Sequence, residues 1–170
     1  MDDKVLDAVN RLAQISRLSM EEFRDAIIET LCELTHSTIA YFYAADYSER
    51  YLTLLGYSKQ VMASCSMSIK RPIYAVVDTG LWGNAVRERR GIITNDYVGS
   101  TAPNKRGLPE GHVALTRHMN APIFQNGSIV ALVGVGNKPT PYTEQDLQNI
   151  TDLMTVMWDE FEQALWEAVW

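Results

Sequence analysis

A chain of 170 residues, 46% hydrophobic and 21% charged, carries enough apolar side chains for one sizeable core, which excludes an intrinsically disordered protein. Its formal net charge of -6 argues against nucleic acid as the main partner, because phosphate binding needs a basic face. The longest unbroken apolar stretch, Ile129 to Gly136, falls far short of the ~20 residues a membrane span needs, and the acidic start at Asp2-Asp3 is unlike a signal peptide, so the expectation is a cytoplasmic protein with no membrane partner.

Val5, Leu6, Val9, Leu12, Ala13 and Ile15 recur at helical spacing and predict an amphipathic helix over the first eighteen residues. Ser19 and Glu22 form a capping box that opens a second helix, with Phe23, Ala26, Ile27, Leu31 and Leu34 on its apolar face and His36-Ser37 at its end. From Thr38 the period changes. Ile39 to Ala44 and Tyr51 to Tyr57 read as a hairpin around a turn at Asp46 to Arg50, followed by a short helical turn after Ser58 and an edge segment at Ser66 to Ile69.

Asp78 to Arg87 reads as a turn entering a short helix, with Thr79 as its cap and Gly91 as its stop, and Ile92 to Tyr97 as a brief strand. Val98 to Leu115 has the composition of a long surface loop, and loops of that length in a compact domain are often functional. Between Arg87 and Arg117 there are six cations against three acids, so this middle is net positive in an acidic chain. His118 to Phe124 and Ile129 to Val135 flank Asn126-Gly127, whose positive φ angles suit a tight hairpin.

Thr143 and Asp146 form a second capping box, and the chain is helical from there to its end. In that last helix Leu147, Ile150, Met154, Met157, Phe161, Ala164 and Ala168 alternate at spacings of three and four, the a/d seam of a coiled coil. A helix roughly 40 Å long exceeds what one small sheet covers, so the seam is expected to pair with a second subunit or continue toward another domain, the alternative being that the seam packs on the sheet and the tail frays. Cys32 and Cys65 are too few for a disulfide framework or a four-ligand zinc site, and both read as buried thiols.

The order of helix, helix, hairpin, central helical excursion, closing hairpin and long final helix resembles the GAF domain. The residues carry the resemblance: Thr79-Gly80-Leu81-Trp82-Gly83-Asn84-Ala85-Val86 is similar to that family's T-G-hydrophobic-x-G-x-A-V signature, and Ile92 to Tyr97 to its I-x-N-D-Y segment. Met119-Asn120-Ala121-Pro122-Ile123 resembles its V-P strand, and the strand from Ile129 ends, as in the family, at Asn137-Lys138. The resemblance implies an α+β fold, an antiparallel sheet with the terminal helices on one face and the central helix plus long loop on the other. One domain would fill residues 1–170, with a helix over 1–18, a core over 19–142 and a signalling and dimerisation helix over 143–170.

Asn137-Lys138, Tyr142 and Asp146 resemble the N-K-x-F-x-D-E motif of cyclic-nucleotide-binding relatives, with Tyr for Phe and Leu147 for the final Glu. A Lys138–Asp146 ion pair pinning the loop to the last helix is the reading adopted for them. More closely, Gly80-Leu81-Trp82-Gly83, Pro109-Glu110-Gly111-His112-Val113 and Thr116-Arg117-His118 look like a subgroup found in bacterial sensors with histidine-kinase or diguanylate-cyclase outputs, hence two-component or cyclic di-GMP signalling.

What the resemblance implies is a sensor module without catalytic residues, binding a small ligand, an anion among the candidates, near Trp82, Tyr97, His112, Arg117 and His118, paired as a homodimer through its terminal helices and reporting to an output domain. Arg117 offers a fork of donors for an anion, or is held by Asp96 or Glu110; Trp82 is a pocket wall or a plain core residue. The spacing of His112, His118 and Cys65 supports no metal or haem site, and the cofactor is left unknown. Two alternatives stay open: a dimerisation scaffold with a vestigial pocket, and a methionine sulfoxide reductase acting through cysteine thiolates.

Overall fold

A computed structural model describes residues 1–15, 17, 19–59, 73–108 and 112–166. The expected turn after Ser58, the segment Ser66–Ile69, Cys65, Glu110 and the final residues Ala168 to Trp170 lie outside them.

The described chain runs α1 (Asp3–Ile15), α2 (Met20–Thr35), β1 (Ile39–Ala45), β2 (Tyr51–Tyr57), β3 (Ile73–Ala75), α3 (Asn84–Glu88), β4 (Ile92–Thr94), β5 (His118–Gln125), β6 (Ser128–Gly136) and α4 (Glu144–Trp166). The six strands form one antiparallel sheet in the order β3-β2-β1-β6-β5-β4. This is the α+β arrangement expected from the sequence, with α1, α2 and α4 on one face and α3 with the irregular 98–108 and 112–117 segments on the other.

Local chemistry explains most boundaries. The Ser19 hydroxyl accepts from the Glu22 N–H at 3.1 Å, and α2 stops where His36 turns left-handed at φ 53°. Asn126 and Gly127, at φ 51° and 80°, make the two-residue β5–β6 turn. Thr143 and Asp146 exchange bonds at the start of α4: Asp146 N–H donates to Thr143 Oγ1 at 3.2 Å and Thr143 N–H to Asp146 Oδ2 at 2.9 Å.

Four details differ from the sequence reading. β3 pairs with β2 although Ile73-Tyr74-Ala75 carries too short a pattern to stand out. Thr79 is not a helix cap: its hydroxyl donates to the Val76 carbonyl at 2.6 Å, and the chain passes through a tight turn at Leu81–Gly83 before α3. Gly91 is not the helix stop either, since α3 ends at Arg89 with φ 54°, and a Cβ at Gly91 would fall 2.7 Å from the Leu147 side chain.

The fourth difference concerns the seam of α4. Ile150, Met154 and Met157 are fully buried against α1, α2 and the sheet, with Leu153 and Trp158 beside them, and Phe161 meets Phe23 edge to face at 5.1 Å. α1 and α2 lie against the helix and cover what the sheet does not. Those seam positions face the interior of their own subunit.

Candidate ligand chamber

Strand periodicity divides β1 between two environments: Ala40, Phe42 and Ala44 enter the helix-covered core, whereas Tyr41 and Tyr43 line a cavity of about 440 Å³ on the opposite face. Tyr41 lies across β6 because its register partner is Gly134, where a Cβ would sit 2.2 Å from the phenol ring. Trp82 stacks on Tyr43 with ring centres 5.1 Å apart, and Tyr74 of β3 meets both rings edge on at 5.9 Å. The floor is thus a continuous aromatic surface. The 106–108 and 112–115 segments and Tyr97 form the opposite wall.

Four of the five residues singled out from sequence line this cavity: Trp82, Tyr97, His112 and His118. Arg117 does not. It precedes His118 on the strand and so points to the other side, where its guanidinium donates to the carbonyls of Lys138 and Pro139 at 3.2 and 3.3 Å. The alternative that Asp96 holds it is also not what is seen, because the Asp96 carboxylate accepts from Gly99 N–H. Among the described residues the cation that borders the cavity is Arg106, anchored by a bond to the Asp78 carbonyl at 2.9 Å.

His118 Nε2 and the Tyr41 hydroxyl are 2.8 Å apart. Asn120 extends this contact, donating from Nδ2 to the Trp82 carbonyl at 2.6 Å and to the Tyr41 oxygen at 3.3 Å. Burial pushes the His118 imidazole down to about 4 and the Tyr41 and Tyr43 phenols well above their ordinary value, so all three are neutral across the physiological range. His112 is fixed by its Nδ1 on the Val113 carbonyl at 2.6 Å.

Arg87 holds the near wall in place. It donates to the carbonyls of Val76, Thr79 and Gly80, to the Thr79 hydroxyl and to Asn84 Oδ1, at 2.6 to 3.1 Å. Tyr41, Tyr43, Tyr74, Arg87 and Arg106 escaped the sequence reading. The two-residue spacing of Tyr41 and Tyr43 with His118 on a facing strand was a readable signal for three-way convergence; nothing local marks Arg87 or Arg106.

Around the cavity mouth, Asn137 grips the wall segment: its Nδ2 donates to the Ala114 carbonyl at 2.9 Å and its Oδ1 accepts from Thr116 N–H at 2.9 Å. Next to it, Lys138 Nζ stands 2.6 Å from Asp146 Oδ2, both side chains only 12% exposed. Cys32 is half-buried on α2, against the helix-side core, with a thiol pushed up by burial. Among the described residues no three His, Cys, Asp or Glu side chains gather as a metal site.

A family model for the GAF domain matches residues 17–162. The chain belongs to the GAF domain family. This GAF domain is 41% identical over 167 residues to the methyl sulfide methyltransferase-associated sensor of Methanosarcina acetivorans, covering 94% of this chain but only 16% of that protein's length. Its fold is similar to the GAF domain of a Coxiella burnetii phosphoenolpyruvate-protein phosphotransferase, with TM-score 0.71, 16% identity and 98% of each chain covered. It also resembles the free methionine-R-sulfoxide reductase of Neisseria meningitidis, solved with its substrate, at TM-score 0.67 and 13% identity over 99% of this chain and 95% of that one. At such identities the solved structures share the fold alone.

Proposed function

We propose that this GAF domain is the input module of a longer signalling protein, that a small, largely apolar ligand occupies the chamber, and that occupancy is passed through α4 to an output domain such as a histidine kinase or diguanylate cyclase. The observation that carries the reading is the aromatic-lined cavity of about 440 Å³, within the range of small-molecule sites. The 41% identical relative is a sensor, and this chain spans a small part of it. That no described helix is long and apolar enough to cross a membrane accords with a cytoplasmic location.

A transmission path supports the reading. The wall at Ala114 and Thr116 is tied by Asn137 to the end of β6, Arg117 binds the next two carbonyls, and Lys138 reaches Asp146, which also caps α4. A ligand that orders the wall therefore loads the first turn of α4 directly. It shifts the output only if it prefers one of two arrangements. Homodimerisation belongs to the same proposal, now along outward positions of the terminal helices such as the exposed Met1 and Leu6, since the α4 seam is occupied.

Native mass spectrometry of the full-length protein from its source tests the reading. A retained small molecule that is lost on Leu115→Trp, which fills the chamber, is the expected result; a clean dimer mass with nothing bound would favour the scaffold, and turnover of free methionine sulfoxide with a thiol reductant would favour the reductase.

A further inference from the structure

The Tyr41–His118 contact leaves one proton over. Asn120 cannot be turned the other way round, because its Nδ2 is needed by the Trp82 carbonyl at 2.6 Å, and its second N–H faces the Tyr41 oxygen. Tyr41 brings one proton and a neutral imidazole brings one, but the 2.8 Å contact between them holds only one. If Tyr41 donates to Nε2, the imidazole proton sits on Nδ1, which is buried and has no partner. If Nε2–H donates to Tyr41, the phenol proton has nowhere to go and Nδ1 lacks a donor as well. The first arrangement strands one group and the second strands two, so the proton resides on Nδ1.

A buried donor without an acceptor is destabilising, and an acceptor brought to it recovers that loss. Asn120 Oδ1 is likewise unpartnered, but Asn120 does not border the cavity, whereas His118 does. Among the described residues the rim carries Asp78 and Arg106 together, so neither sign of charge is favoured by them. The aromatic floor favours a flat apolar body. Resting on the chamber reading above, we propose that the ligand presents a hydrogen-bond acceptor oxygen on a flat apolar body, and that the spare proton of the Tyr41–His118 pair selects it. Torsion about the Cβ–Cγ bond of histidine has broad wells, so a modest turn of the ring offers Nδ1–H to an oxygen inside.

Two probes of one shape test this: 2-acetylnaphthalene and 2-isopropenylnaphthalene, in which a CH₂ replaces the carbonyl oxygen. Calorimetry on the parent chain should give about tenfold tighter binding of the ketone, and His118→Phe, which keeps a ring beside Tyr41, should bring the two probes level. Should that variant not fold, the imidazole nitrogens of the parent decide by NMR: Nδ1 protonated, with its resonance displaced by the ketone and not by the hydrocarbon. Equal affinities in the parent, or an Nδ1 resonance unmoved by the ketone, would overturn the proposal and leave the chamber reading intact. Failure of both probes to bind, or unchanged binding to Leu115→Trp, would overturn both.

Discussion

The two faces of the sheet are made from alternate residues of the same strands, and they end in opposite states. On the helix side Phe42, Met119 and Val133 are fully buried under α1, α2 and α4, whose Leu12, Phe23 and Trp158 are buried with them. On the chamber side Tyr41, Tyr43, Tyr74 and Trp82 brace one another ring against ring, and the cover is a five-residue helix with irregular segments. Rigid rings that already hold each other cannot collapse into the space before them, whereas flexible aliphatic chains under full-length helices do. Stability and capacity are thus assigned to different surfaces of one sheet.

The contrast is broken most severely by matched truncations. Trp158→Ala should cost about 3–5 kcal/mol in urea denaturation, the range for emptying a filled core position, while Trp82→Ala, at the border of existing space, should cost about 1 kcal/mol. Equal losses would show that the chamber face carries the fold as much as the helix face does.

Acid sharpens the same contrast through His118. Burial sets its folded-state value at about 4 against an ordinary 6.5. The unfolded chain therefore takes up that proton first; stability is whole above about pH 6.5 and drains as pH falls toward 4, by up to about 3 kcal/mol. A His118→Gln protein should show a flatter curve over that interval, and an identical slope would assign the loss to other groups.

Lys138→Met, at the junction of both faces, leaves a largely buried Asp146 carboxylate with only its capping bond and should cost about 2 kcal/mol. Amide exchange in the first turn of α4 should rise in step; exchange confined to other regions would contradict the path through this pair. The smallest effect belongs to Arg117→Ala. Removing bonds to two exposed-side carbonyls should cost about 1 kcal/mol, with no direct change in chamber binding of the naphthyl ketone. A sharp loss of affinity there would restore Arg117 to the ligand.

How much of this was legible in the sequence follows from the range of each signal. Caps and turns are local, so Ser19, Asn126-Gly127 and the Thr143–Asp146 box announced themselves. The seam of α4 was visible as apolar periodicity, but periodicity says that a face is buried and not by what, and α1 and α2 supplied the answer. The chamber was half legible: Trp82, Tyr97, His112 and His118 stand in segments that resemble the family's and border the cavity, while Arg117, one residue before His118, donates to carbonyls away from it. Arg106 acts through a carbonyl 28 residues back and Arg87 through carbonyls seven to eleven residues back, and a backbone acceptor leaves no trace in the sequence that its donor can be matched to.

Gly134 acts through the side chain it lacks. With only a hydrogen at that position a phenol lies flat on the sheet and the hollow above it stays deep. One added methyl would lift the ring and convert a receptacle into a plug, so a Gly134→Ala protein that still admitted guests of full size would refute this. The capacity of the domain is set at a site that no guest touches.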